Sequence, residues 1–95
     1  MPALLIIQAT VSRKEKYKAY QEGVKPVIEA FGGRFKASGV GMEVLEGAHD
    51  GRRLIVFEFD SMDAIRSFWS SSKYAAVKPL RFGAAKIDVW AVPAA

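Results

Sequence analysis

Four stretches of apolar residues along the chain predict the strands of a β-sheet. They cover residues 3–11, 34–38, 53–59 and 85–92. The first of these is apolar at nearly every position, which is typical of a strand covered on both faces. Met42 to Glu46 is interpreted as a further stretch of strand, because Gly39 and Gly41 before it allow a bend or bulge.

A long segment with apolar residues three and four positions apart predicts the first helix. Ser12 and Glu15 have the spacing of a capping box, which favours a helix that begins at Ser12. Residues 32–33 are both glycine and predict its end. Pro26 removes a backbone donor, so a kink or break is expected near Gly23.

A second helix is predicted between the third and fourth apolar stretches. Asp60 or Ser61 can cap it, and Asp63 lies in its first turn. Its apolar face consists of Met62, Ile65, Phe68 and Trp69. A further short helical turn is expected around Tyr74, and Gly83 closes it.

The order of these elements, β-α-β-β-β-α-β, favours a ferredoxin-like α+β sandwich if the second and third strands form one bent unit. Such a fold is an antiparallel sheet with two helices on one face. The uncovered face would carry either Leu54 and Val56 or the alternate residues Ile55, Phe57 and Phe59. Because an exposed apolar sheet is a liability in water, we expect a homodimer with two sheets face to face.

The composition fits one folded domain over residues 1–95 and excludes several classes of site. Hydrophobic residues make up 51% of the chain, which excludes a disordered protein. No cysteine is present, so disulfides, zinc–thiolate sites, iron–sulfur clusters and cysteine nucleophiles are excluded. With a single histidine as well, we expect neither a metal nor a bound cofactor.

The charge and the first residues bear on partners and location. The net charge is +4, but the basic residues are scattered. RNA-recognition domains share this element order, yet the strand from Arg53 to Phe59 lacks their glycine, and Glu58 would repel phosphate. No apolar run is long enough to cross a membrane, and no basic segment precedes the first strand. We therefore expect a cytoplasmic protein without nucleic-acid or membrane partners.

Several short motifs together give the chain a family resemblance. They are Tyr17-x-x-Tyr20, Gly32-Gly33-Arg34-Phe35-x-Ala37, Leu45-Glu46-Gly47, Val56-Phe57-Glu58-Phe59, Phe68-Trp69-x-Ser71-x-x-Tyr74 and Pro79-Leu80-Arg81. In this combination the chain resembles the family called domain of unknown function thirteen-thirty, over roughly residues 4 to 92. That family belongs to the dimeric α+β-barrel superfamily.

The resemblance implies a homodimeric barrel of two four-stranded sheets. It implies no reaction, because most of that family is uncharacterised. More distant relatives include cofactor-free monooxygenases, lactone isomerases, haem-degrading enzymes and chlorite dismutases. The chain also departs from the family pattern, which reads Ser-Pro-Glu-Tyr before the short helix. Here Ser71 is followed by Ser72, Lys73 and Tyr74, so an acidic position becomes basic.

Glu58 is the candidate for moving a proton. It lies between Phe57 and Phe59 in an apolar strand, where a carboxylate is either paired or has a raised pKa. The functional interpretation is a general base or an acceptor for a ligand. The structural interpretation is an ion pair with Arg or Lys at the end of the strand.

Arg34 and Arg81 are candidates for binding an anionic ligand. A guanidinium offers two parallel donors to a carboxylate, and both residues lie at the ends of elements, where pockets form. Either arginine could instead pair with Glu46 or Glu58 for structural reasons.

Four aromatic side chains with polar tips lie on helix faces that should point toward the sheet: Tyr17, Tyr20, Trp69 and Tyr74. They fit either a plain core or a cavity for a flat apolar ligand. Ser71 is grouped with them as a ligand-binding candidate, although it could simply cap the turn that follows. His49, in a glycine-rich loop, is interpreted as a solvated side chain.

Three classes of function remain open from the sequence. The first is a metal-free, cofactor-free enzyme, an oxygenase or isomerase, acting on a small apolar or aromatic acid. The second is a ligand-binding or stress protein without turnover, and the third is a module whose role is to dimerise.

Overall fold

A computed structural model describes residues 1–95 and shows helices packed on one face of a four-stranded sheet. The strands are β1 (Ala3–Val11), β2 (Arg34–Ser38), β3 (Arg53–Phe59) and β4 (Ala85–Pro93). The helices are α1 (Lys14–Ala30), α2 (Met62–Trp69) and α3 (Ser72–Val77), followed by a 3₁₀ turn over Lys78–Arg81. None of the helices combines the length and the apolar composition that a membrane crossing requires.

The sheet has the strand order β2-β3-β1-β4, and every neighbouring pair is antiparallel. This order confirms the α+β ferredoxin-like fold predicted from the sequence. The molecule measures 37 × 35 × 16 Å, so its short dimension holds one layer of sheet and one layer of helices. One face of the sheet therefore stays uncovered.

The pairing register decides which side chains face the helices. Leu5 lies opposite Phe57 and Ala91, and opposed residues of antiparallel strands share a face. Because Leu5 is buried, this set faces the helices. The apolar side chains on the other face, called the open face below, are Leu4, Ile6, Leu54, Val56, Trp90 and Val92.

Aromatic rings fill the core between the helices and β3. Phe59, Phe68 and Tyr74 are among the largest fully buried side chains. Their ring centroids are 5.7 Å apart for Phe59 and Phe68 and 4.8 Å apart for Phe68 and Tyr74. Ser61 begins α2 by accepting a hydrogen bond from the backbone N–H of Ala64, as its sequence position predicts.

The predicted start and break of the first helix are both wrong. The helix begins at Lys14 without a capping box, because the Ser12 hydroxyl donates to the carbonyl of Ala84 instead. Pro26 lies inside one continuous helix. Val24 and Val27, on either side of it, are buried in the core, and this packing offsets the lost backbone bond.

The predicted strand from Met42 to Glu46 is also absent. Residues 39–52 form a connection, called the arm below, that contains no strand. β2 pairs with β3 on one side only, and this segment does not pair with the free edge of β2. Gly41 has a φ of +79°, a left-handed conformation that interrupts an extended chain.

Candidate functional site

A cavity of about 640 Å³ lies between the helices and the covered face of the sheet. Of its 18 lining residues, 13 are hydrophobic. Leu5 and Ile7 of β1, Ile55 and Phe57 of β3 and Val89 of β4 form its floor. A volume of this size and this apolar lining are typical of small-molecule sites.

One face of α1 forms the long wall of the cavity. The residues of α1 that line it are Tyr17, Tyr20, Gln21, Val24, Lys25, Ile28 and Glu29. They recur every three or four positions, so one helical face carries them all. Tyr17 and Glu29 are twelve residues apart, which places them about 18 Å apart along the axis of α1. The cavity is therefore elongated, with different chemistry at its two ends.

Three tyrosines lie together at one end of the cavity, and they are called the tyrosine cluster below. Tyr17, Tyr20 and Tyr74 are only 3%, 7% and 2% exposed, respectively. The Tyr20 and Tyr74 hydroxyl oxygens are 3.0 Å apart and share one hydrogen bond. The rings of Tyr17 and Tyr20 lie 5.7 Å apart. This is the polar end of an otherwise apolar cavity.

Burial favours the neutral form of Tyr17 and Tyr20. Desolvation is the largest effect that raises the pKa of Tyr17 and of Tyr20 above the usual phenol value. The hydrogen bond between the Tyr20 and Tyr74 hydroxyls raises the pKa of Tyr20 further. Neutral phenols are hydrogen-bond donors, so this end of the cavity can bind an acceptor oxygen.

Two arginines stand against the tyrosine cluster without lining the cavity. Cζ of Arg81 is 5.8 Å from the centre of the Tyr20 ring, and Cζ of Arg53 is 5.9 Å from that of Tyr17. Nε of Arg81 is the one buried side-chain nitrogen or oxygen that has no hydrogen-bond partner. Their positive charges partly oppose the effect of burial on the pKa of Tyr17.

The mouth of the cavity lies where its lining residues are exposed to solvent. Phe35 and Trp69 are 61% and 40% exposed, and Lys25 and Glu29 are also exposed. The Trp69 ring lies 5.0 Å from that of Tyr74 and so connects the mouth to the tyrosine cluster. The only carboxylate in the lining belongs to Glu29.

The structure separates Glu58 from this cavity. Glu58 lies opposite Leu4 in the sheet and thus points to the side of the open face. Its Oε1 is 3.0 Å from Nη2 of Arg34 and 3.8 Å from Nζ of Lys36. This arrangement matches the structural ion pair that the sequence left open as an alternative.

Arg34 reaches the cavity wall, but carboxylates occupy its guanidinium. Its Nη2 donates to Glu58, and its Nη1 donates to Asp60 over 3.1 Å. These two hydrogen bonds raise the pKa of Arg34 further. Three of its five N–H donors are therefore used within the protein, by Glu58, Asp60 and the carbonyl of Gly32.

Ser71 and His49 lie outside the cavity lining. The Ser71 hydroxyl accepts from the N–H of Tyr74 and donates to the carbonyl of Phe68, which caps α3 and positions Tyr74. His49 lies in the arm, where its Nε2 is 3.0 Å from Oε1 of Gln8. No group of three His, Asp or Glu side chains is placed to hold a metal ion.

Five of the site residues predicted from the sequence line the cavity, and other lining residues were missed. The five are Tyr17, Tyr20, Arg34, Trp69 and Tyr74. Gln21, Lys25 and Glu29 were missed, although their spacing of four from Tyr17 places them on the same helical face. Arg53 was missed because a charge at the start of a strand gives no signal of what it packs against.

Comparison with known proteins identifies both the fold and a family match. The model of a family described as "Domain of unknown function (DUF1330)" matches residues 2–95. None of the curated protein sequences matches the chain.

Three solved structures illustrate the likeness of fold. A protein of unknown function from Rhodopseudomonas palustris is 19% identical with a TM-score of 0.74, over 99% of this chain and 83% of that one. SnoaB, a cofactor-independent oxygenase from Streptomyces nogalater, is 10% identical with a TM-score of 0.71, over 99% and 93%. A dimeric ferredoxin-like protein of unknown function from Thermobifida fusca is 11% identical with a TM-score of 0.65, over 99% and 92%. At these identities the likeness shows the fold alone.

Proposed function

Since the chain belongs to the family described as domain of unknown function (DUF1330), whose description names no activity, we propose its function from the cavity: it binds a small apolar or aromatic acid. The observation that carries this proposal is an apolar cavity of about 640 Å³ with a cluster of tyrosine hydroxyls at one end. The apolar floor and wall would cover flat rings, and the hydroxyls would orient one oxygen.

As a finer proposal, the bound molecule is turned over without metal or bound cofactor, by oxygenation or isomerisation. The fold is shared with SnoaB, a cofactor-independent oxygenase, which makes such chemistry compatible with the architecture. The tyrosine hydroxyls could stabilise negative charge that develops on a substrate oxygen. Glu29 is the carboxylate within reach of the cavity for moving a proton, whereas Glu58 is paired on the opposite face.

Binding without turnover is the second candidate, and one distance favours it. Glu29 lies about 18 Å along α1 from Tyr17, so the lining carboxylate and the tyrosine cluster occupy opposite ends. General base catalysis needs a base within hydrogen-bonding reach of the proton it removes. A substrate must therefore span the cavity if Glu29 is to act on it.

Native mass spectrometry of protein purified from its own cells tests the proposed binding. We expect an added small-molecule mass that the cavity-filling variant Ile7→Phe loses. Thr10→Phe, on the same strand but on the open face, should retain it. A protein that carries no added mass and also fails to bind β-naphthoate in calorimetry would refute the proposal. If a ligand is found, its conversion by the wild type but not by Glu29→Gln would separate turnover from binding.

We further propose that the protein is a homodimer whose two sheets meet through their open faces. Leu4, Ile6, Leu54 and Val56 are only partly buried within one chain, and Trp90 is 44% exposed. A second copy covers such a patch in a self-complementary way. The Thermobifida fusca protein, which shares the fold, is described as dimeric. A cytoplasmic location remains a prediction from the sequence.

A further inference from the structure

We propose that an acidic oxygen of the ligand is anchored at the tyrosine cluster, and that two arginines outside the cavity hold it there through the tyrosines. These positioning residues are Arg53 and Arg81. The inference rests on the proposed function, that the cavity binds a small aromatic acid. It adds the orientation of that acid and a role for two side chains that do not touch it.

The hydroxyl groups of the tyrosine cluster have unused donors. Three hydroxyl hydrogens are present, and only one is used, in the bond between Tyr20 and Tyr74. The Tyr17 hydroxyl makes no hydrogen bond within the protein. Two hydroxyl hydrogens at this end of the cavity are therefore free to donate to a ligand, and carboxylate or phenolate oxygens are strong acceptors.

The two arginines supply positive charge that no carboxylate neutralises. The ion pairs of the protein engage Arg34, Arg52 and Arg66 among the arginines. Arg53 and Arg81 have no acidic partner and instead lie against the rings of Tyr17 and Tyr20. An uncompensated charge next to a buried site favours an anion there. The low polarity around the partly buried Arg81 strengthens this effect, whereas Arg53 is exposed, and solvent weakens its effect.

The burial of Arg81 destabilises the folded chain in a way that packing alone does not explain. Its Nε is buried and lacks a hydrogen-bond partner, which destabilises the folded chain. Cζ of Arg81 also lies 5.8 Å from the ring of Phe82, so aromatic rings hold the guanidinium in place. The position of this cation beside the tyrosines, despite the unpaired Nε, is explained if an anion binds on the other side of the tyrosines.

The opposite end of the cavity sets the orientation of the ligand. Glu29, about 18 Å along α1 from Tyr17, balances the charge of Lys25 at the mouth. The mouth therefore attracts an acid group less than the tyrosine cluster does, where two arginines lack acidic partners. The acid end of a ligand is therefore directed inward to the tyrosine cluster. Its apolar part then lies against Phe57 and Trp69, nearer the mouth.

The experiment compares two probes with the same aromatic body in isothermal titration calorimetry. β-Naphthoate carries the acid group, and β-naphthamide replaces it with a neutral amide. The wild type should bind β-naphthoate at least about tenfold more tightly. Arg81→Gln and Arg53→Gln should each reduce this ratio several-fold without weakening β-naphthamide, and Arg81→Lys should restore part of it.

Two further variants complete the design. Arg66→Gln removes the same charge from an exposed site paired with Asp63, so it should leave the ratio unchanged. Tyr17→Phe removes a free hydroxyl while keeping the ring, so it should weaken β-naphthoate more than β-naphthamide. If Arg81→Gln does not fold, Arg53→Gln and Tyr17→Phe decide the question.

The outcomes separate this inference from the proposed function. Equal affinity of the wild type for the two probes would overturn the inference while leaving the cavity as a binding site. An equal loss of both probes in the arginine variants would assign these residues a structural role and would also overturn it. If neither probe binds the wild type, the proposed function fails first.

Discussion

Gly33 shows how a single residue shapes the wall of the cavity. It connects α1 to β2, and a Cβ placed on it would lie 2.4 Å from Cγ2 of Ile28 and 2.7 Å from Cζ of Phe59. Both distances are far shorter than van der Waals contact. The close approach of the backbone to these two buried side chains therefore requires glycine at this position.

Gly33→Ala is expected to lower the free energy of unfolding by about 1–3 kcal/mol, because the added methyl group overpacks the core. The matched control is Gly23→Ala in α1, where a Cβ would lie 3.4 Å from Val77 and Leu80. That substitution should be neutral or stabilise by up to about 1 kcal/mol, since alanine favours the helix. Urea unfolding measures both, and an equal effect of the two substitutions would contradict the packing argument.

The buried tyrosines predict how stability depends on alkaline pH. Burial raises the pKa of Tyr17 and of Tyr20, so the unfolded chain loses these phenolic protons before the folded chain does. Their contribution to stability is complete below about pH 10 and is lost as the pH rises above it. The urea midpoint should therefore fall between about pH 10 and pH 11, where these phenols ionise in the unfolded chain.

The double variant Tyr17→Phe/Tyr20→Phe provides the control for this decline, because it leaves every other titratable group of the chain unchanged. It should lose less stability over the same pH interval than the wild type does. An identical decline in both proteins would show that the two phenols do not contribute to it.

At the scale of elements, the strands were predictable because their apolar patterns are strong and bounded by turn residues. The ends of β1, β2 and β3 agree with the sequence analysis, and β4 is one residue longer. The start of α1 was not predictable, since the contact of Ser12 with Ala84 joins residues 72 positions apart. The predicted strand in the arm was wrong because the local apolar content of a segment does not show whether it pairs with another strand.

The site was partly predictable for a related reason. Tyr17 and Tyr20 are three residues apart on α1, so their shared helical face followed from the sequence. The faces of β3 did not follow, because both alternate sets of its residues are apolar. Glu58 could be assigned to the open face only once its pairing with Leu4 was known.

At the scale of the whole molecule, a single layer of helices leaves the open face uncovered, and the proposed dimer would cover it. Val56→Lys places a charge at the centre of this face and is expected to convert a dimer into monomers of 10.4 kDa, or to prevent folding. Analytical ultracentrifugation measures the mass. Ala19→Lys, on the exposed side of α1, should leave the dimer intact. A soluble Val56→Lys protein that remains fully dimeric would refute the sheet-to-sheet interface.

Strand β1 separates two environments with a single thickness of backbone. Leu5 and Ile7 line the cavity, whereas Leu4 and Ile6 belong to the open face. If both proposals hold, neighbouring residues of β1 serve different functions, ligand binding on one face and dimer formation on the other. Saturation mutagenesis of this strand should then give a phenotype with a period of two, in which ligand retention and self-association fail at alternate positions.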